Sequence, residues 1–105
     1  MAYPSKYKDA QVEILGEPSN PGKQLVAGSA SSNTALTSTV RRISIRASGA
    51  DIRFSIGTGT QTANGNTSNF IANGERLDFA VPQGANIAVI RDGTVNGTLE
   101  LTELI

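Results

Sequence analysis

The sequence contains no cysteine, no histidine and no tryptophan among its 105 residues. Without cysteine it can form neither a disulfide nor a thiolate metal centre. Losing histidine as well removes the commonest general base, the base of most nucleophile pairs and the usual soft-metal ligand. Aromatic residues make up only 5% of the chain, and both tyrosines, Tyr3 and Tyr7, lie in its first ten residues. No apolar run approaches the roughly 20 residues needed to span a membrane. The opening MAYPSKYKDA lacks the apolar centre of a secretory leader, so the expectation is a chain made in the cytoplasm and carried elsewhere only within an assembly. Net charge is also lacking: nine Lys and Arg balance nine Asp and Glu. That balance argues against a dedicated nucleic-acid binder, which would be clearly basic.

The chain does contain enough apolar residues for a thin core. Ile, Leu, Val and Phe account for 25 of the 105 residues, above the roughly 20% below which a chain is read as disordered. A single domain of this size buries about two-thirds of its unfolded surface. Oligomerisation or docking onto a larger surface is therefore expected to supplement its stability. The charges are sorted along the chain: all lysines (Lys6, Lys8, Lys23) come early, and every later basic residue is arginine. Val40–Ile56 carries Arg41, Arg42, Arg46 and Arg53 against Asp51 alone, while Glu100 and Glu103 lie near the C-terminal end. Such polarity suits contacts between subunits.

Two textures divide the chain. Residues 1–38 are polar and punctuated by Pro4, Gly16, Pro18, Pro21, Gly22 and Gly28; only QVEIL (Gln11–Leu15) and QLVA (Gln24–Ala27) have strand character. This reads as an N-terminal arm with one or two edge strands, loosely attached to a body spanning 39–105. In the body, strands are expected at Val40–Ala47, Ala50–Ile56, Asn69–Ala72, Arg76–Val81, Asn86–Arg91 and Thr98–Leu104. They are separated by Ser-Gly, Asn-Gly, Asp-Gly and Pro-Gln-Gly turns that read as hairpin signals. In RRISIRASGADIRFSIG, Ile43, Ile45 and Ala47 alternate with Arg42, Ser44 and Arg46, and Ile52, Phe54 and Ile56 alternate with Asp51, Arg53 and Ser55. One face is apolar and the other polar, mostly basic. No segment sustains the apolar period of a helix. The class is all-β: a β-sandwich or jelly-roll-like domain of short antiparallel strands. An echo of Gly49-Ala50-Asp51-Ile52 in Gly84-Ala85-Asn86-Ile87 has two readings, common turn chemistry or a pair of similar units. The apolar faces of 43/45/47 and 52/54/56 are expected to pack on an opposing sheet carrying Leu77, Phe79, Val81, Ile87 and Val89. NIAVIR, apolar on both faces, reads as a central strand or one covered by a neighbouring subunit.

Candidate chemistry is sparse. Glu75 with Asp78 or Asp92 is the only carboxylate pair that could serve glycoside hydrolysis, and the pattern places both partners on a solvated face. The GTGT run at 57–60 lacks the lysine and following helix of a phosphate loop. ANGNTSN offers amides without the carboxylates of a calcium site. Asn66-Thr67-Ser68 and Asn96-Gly97-Thr98 spell glycosylation acceptors in a chain with no secretory feature. The polar loop at 57–68 is expected to be mobile or held by a partner. The arginine face either keeps the sheet soluble or docks on carboxylates of a neighbour.

The body, from VRRISIRASGADIRFSIGTGT through NFIANGERLDFAVPQGANIAVIRDGTVNGTLELTEL, resembles small structural proteins of tailed-bacteriophage virions. It is most similar to the decoration or cement proteins on the outside of the capsid. The resemblance covers roughly Val40 to Leu104 and is one of texture, with no diagnostic motif. It implies a non-enzymatic sandwich subunit, homo-oligomeric and often trimeric, that bridges and stabilises major-capsid subunits or other virion proteins. It also implies a virion location after assembly in the host bacterial cytoplasm, and an arm that laces subunits together. A tail or head-fibre component would share these features. A carbohydrate-binding β-sandwich is the alternative from another class, disfavoured by the lack of Trp and by tyrosines confined to the arm. Candidate partner-binding residues are Tyr3, Tyr7, Arg42, Arg46 and Arg53. No catalytic, cofactor-binding or metal-binding residue is expected, and neither nucleic acid nor membrane is an expected partner.

Overall fold

A computed structural model of the chain describes residues 22–104. Tyr3, Tyr7 and the QVEIL segment therefore lie outside the described residues. Eight strands follow in order: β1 (Gly22–Ala27), β2 (Ser32–Ala35), β3 (Arg42–Ser48), β4 (Ile52–Thr58), β5 (Asn69–Ile71), β6 (Arg76–Ala80), β7 (Ala85–Arg91) and β8 (Gly97–Leu104). They form two antiparallel four-stranded sheets, one ordered β1-β8-β3-β6 and the other β2-β7-β4-β5. Every chain connection except β4–β5 passes from one sheet to the other, which is the winding of a jelly roll.

The alternation of side chains along each strand dictates this packing. Ile43, Ile45 and Ala47 on β3 and Leu99 and Leu101 on β8 point inward, and Ile52, Phe54, Ile87 and Val89 meet them from the other sheet. Phe54, 1% exposed, lies at the centre, with its ring centroid 5.6 Å from that of Phe79 at a 58° tilt. Leu77 and Phe79 are only partly buried because β6 is an edge strand. The expected facing of the sheets needs correction. Leu77 and Phe79 share a sheet with Ile43 and Ile45, and Ile87 and Val89 share one with Ile52 and Phe54.

The hairpin readings need the same correction. The Ser48-Gly49 turn links β3 to β4 and the Asn73-Gly74 turn links β5 to β6, each between sheets. Gly49 and Gly74 do adopt the positive φ that such turns require, 91° and 87°. Their polar groups bond to each other's turn instead of closing a two-strand ladder. Gly74 N donates to Ala47 O (2.8 Å), Gly49 N to Asn73 Oδ1 (3.0 Å) and Asn73 N to Asp51 Oδ1 (2.8 Å). A Gly-Asx turn reverses the chain, but the apolar face of the next strand determines which sheet receives it. The two echoing segments enter equivalent strands: β3–β4 and β6–β7 both cross the sandwich, and β3 pairs with β6 as β4 pairs with β7.

The sequence reading gave no strand at Ser32–Ala35. SNTA has no apolar alternation, yet it pairs with β7 from Ser32↔Val89 to Ala35↔Asn86. Main-chain bonds and the buried Leu36 that follows anchor it. Residues 22–38 thus supply one edge strand to each sheet, with Ala27 and Leu36 in the core.

Candidate functional site

The outer faces of the two sheets differ. Over the β2-β7-β4-β5 sheet, the 59–68 loop folds back and is bound by the chain's own side chains. Gln61 N donates to Asn33 Oδ1 (2.8 Å), Ala63 N to Ser31 Oγ (2.8 Å) and Ser55 Oγ to Gln61 Oε1 (2.9 Å). Ala63 is buried, and Ala88 on the outer side of β7 is fully buried. The expectation of a mobile or partner-held loop is therefore replaced by a third case, a loop held intramolecularly. β7 is a central strand, one of the two readings given for NIAVIR. Within the loop, Asn64 Oδ1 accepts from Asn66 N (2.8 Å) and Thr67 N (3.2 Å), so the amide of ANGNTSN that could have met a cation closes a local turn.

The outer face of the β1-β8-β3-β6 sheet has no such cover among the described residues. In register across its four strands stand Arg76, Arg46, Glu100 and Gln24. Arg46 thus has an arginine on one side and a carboxylate on the other. Gln24 Nε2 donates to both Glu100 oxygens (3.3 and 3.1 Å), and Arg76 donates to Ser44 Oγ (2.9 Å). Arg42 lies further along, between Ala80 and Leu104. Beside it a hollow of about 210 Å³ is lined by Arg42, Asp78, Ala80 and Leu104. Both Arg42 and Arg46 are exposed.

Arg53 belongs to the opposite side of the sandwich, so the basic face read from the sequence is divided between two surfaces. Its guanidinium is engaged within the chain. Nε donates to Asp92 Oδ1 (2.8 Å), Nη1 donates to Ser68 O (3.0 Å), and the group lies 4.9 Å from the centroid of the Phe70 ring. These contacts tie β4, β5 and the loop after β7 together.

The candidate carboxylates are likewise separated. Asp78 is on the open face, Asp92 is bound to Arg53, and Glu75 Oε1 accepts from Ala72 N (2.9 Å) to close the β5–β6 turn. Among the described residues no three acidic side chains converge as a metal site would require. A second hollow, about 310 Å³, opens at one end of the sandwich and is lined by Asp51, Asn73, Asp92, Thr94 and Val95. The carboxylates and amide that line it hold its own turns: Asp51 to Asn73 N, Asn73 to Gly49 N, and Asp92 to Arg53.

Sequence reading missed one buried polar centre. Glu103, fully buried, follows Leu99 and Leu101 on the inward side of β8. Its Oε2 accepts from Thr37 N and its Oε1 from Thr37 Oγ1, both at 2.8 Å, with Lys23 Nζ at 3.8 Å. The odd-numbered alternation Leu99-Leu101-Glu103 was the available signal. Glu103 therefore serves the fold and is no part of an exposed acidic end.

No protein-family model, curated protein or solved structure matches the chain. Its functional reading accordingly rests on the sheet face left uncovered among the described residues and on the texture of the sequence.

Proposed function

We propose that this chain is a non-enzymatic structural protein of a bacteriophage virion, a capsid decoration protein that binds and stabilises the outer shell through protein–protein contacts. The observation that supports this reading is the asymmetry of the sandwich. One sheet is partly covered by the chain's own loop, while the outer face of the other, uncovered among the described residues, carries Arg42, Arg46, Arg76, Asp78 and Glu100. Such a face suits docking of one protein on another. Its hollow beside Arg42, about 210 Å³, is smaller than the usual small-molecule site, and its charges are of both signs, unlike a nucleic-acid surface. The jelly-roll winding agrees with the sandwich subunit that the resemblance implies. Arginine in place of lysine on this face favours bidentate contact with carboxylates. The virion is the proposed location, reached by assembly in the host bacterial cytoplasm, with the major capsid protein and further copies of this chain as partners.

The test is to add purified chain to shells that lack it and count bound copies as salt is raised. Saturable binding at a fixed number of copies per shell, falling with salt and reduced in R42A or R46A, is the expected result. Absence of the chain from purified particles by mass spectrometry, together with no binding to shells, would overturn the proposal.

A further inference from the structure

We infer that the outer face of the β1-β8-β3-β6 sheet takes a second copy of this chain, in a two-fold contact centred on Arg46 of each copy and Glu100 of the other. The inference rests on reading this face as a protein-contact surface. It assigns this face to a second copy, so R42A and R46A act on shell binding through loss of the dimer and its avidity and not through direct contact.

The order of charges carries the argument. Across the sheet the row reads Arg76, Arg46, Glu100, Gln24, with cations on the β6–β3 half and acceptors on the β8–β1 half. A two-fold axis lying in the contact plane, parallel to the strands and between β3 and β8, exchanges those halves. It lays each β3 residue over the β8 residue that is its own cross-strand neighbour. Arg46 then faces Glu100 of the second copy, and Arg76 faces its Gln24. Along the same axis Ser44 meets Thr102 and Ser48 meets Thr98, all small side chains that let the two sheets approach. Arg42 places its aliphatic stem over Leu104. An isologous contact of this kind needs one self-complementary patch, and this face is one.

Two further observations agree. Arg46 and Arg76 stand directly opposite each other, a like-charge pairing that Glu100 beside Arg46 offsets within the chain and that a second Glu100 from outside would relieve further. The chain has zero formal net charge, so two copies approach without long-range repulsion. The area sets the strength. Four strands spaced about 4.8 Å apart and about seven residues long offer roughly 450 Å² in plan. Counted over both copies that is about 900 Å², below the size of stable specific interfaces, so the dimer is weak and salt-sensitive.

The experiment measures the mass of the full chain by sedimentation over a concentration series at low and high salt. Wild type is compared with R46E, E100R and an equimolar mixture of the two. The expected result is a monomer–dimer equilibrium weakened by salt. Each single reversal should raise the dissociation constant about tenfold or more, because like charges then meet across the axis. The mixture should restore dimers, since both cross-axis pairs are again complementary. A role confined to one chain cannot produce that rescue. If a reversal lowers the melting temperature, R46Q and E100Q replace it and should weaken dimerisation without repulsion. A wild type that is monomeric throughout, or dimers or trimers indifferent to both reversals, would overturn the inference. Shell binding by the same variants separates the two readings. A monomeric wild type that still binds shells leaves the decoration role standing without the dimer, and a charge-dependent dimer that ignores shells does the reverse.

Discussion

At the scale of single residues, Glu103 and Arg53 show how polar groups can be structural in a small all-β domain. Glu103 is fully buried, and its two oxygens satisfy the Thr37 amide and hydroxyl. Replacing it with alanine removes the charged acceptor of two part-buried bonds from Thr37, and hydrogen bonds to charged groups contribute about 1.5–3 kcal/mol. Glu103→Gln retains one carbonyl acceptor and should lose less. Denaturant melts of the two variants, read as midpoint shifts at constant slope, check this order; equal losses would place the cost in the missing carboxylate charge instead of in the acceptor that Gln retains or in packing. Arg53 makes two charge-assisted bonds and a ring contact. Its side chain is 25% exposed, so Arg53→Ala should cost about 1–2 kcal/mol. The same substitution should leave shell binding and its salt dependence unchanged. A shell-binding loss beyond that of an equally destabilised core variant would return Arg53 to the docking surface.

At the scale of elements, the loop over the β2-β7-β4-β5 sheet depends on a missing side chain. A Cβ on Gly57 would stand 2.8 Å from Gln61 Nε2. Gln61 bonds to Ser55 and to the carbonyl oxygens of Thr58 and Gly59, so Gly57→Ala displaces the residue that anchors the loop. Gln61 can swing aside, so the fold survives. The expected outcome is faster hydrogen exchange and proteolysis within 59–68 at a nearly unchanged melting temperature. A large fall in melting temperature would show that the loop is integral to the core. The same region marks the limit of what the sequence makes legible. Strands whose apolar residues alternate, such as β3, β4 and β8, can be read directly, because their inward faces are set by period two. The loop and β2 are not legible, since the loop is held by single hydrogen bonds to Asn33 and Ser31 and from Ser55, and β2 by main-chain pairing with β7. No local pattern encodes those partners. The Gly-Asx turns were found but assigned the wrong destination, because turn chemistry sets the reversal and the distant core sets the sheet. Arg42 and Arg46 could be placed on one outer face by alternation. Separating Arg53 from them required knowing that the β3–β4 link crosses the sandwich.

At the scale of the whole molecule, winding makes the first strands as necessary as the last. β1 pairs with β8 from Gly22↔Thr102 to Ala27↔Gly97, and β2 pairs with β7. The sheets therefore close only after nearly the full length has been made, and folding should be slow for a domain of this size, in the millisecond-to-second range. This topology also gives a sharp test of where the folding unit begins. Both four-stranded sheets, and the core of the described residues, are built within 22–104. The expected outcome for a chain of residues 22–105, which keeps both sheets, is cooperative folding; a non-cooperative melt would place part of the folding unit in residues 1–21. A chain of residues 39–105 would retain the apolar runs of the body but lose β1, β2, Ala27 and Leu36, and with them the Lys23 and Thr37 contacts to Glu103. β8 and β7 would become bare edges beside an opened core, the state in which strands pair between molecules. The expected outcome for 39–105 is aggregation or a non-cooperative melt, while 22–105 gives dispersed amide signals and a single transition. Cooperative folding of 39–105 would show that the body is independent of the two edge strands and that a boundary near residue 38 separates arm from domain.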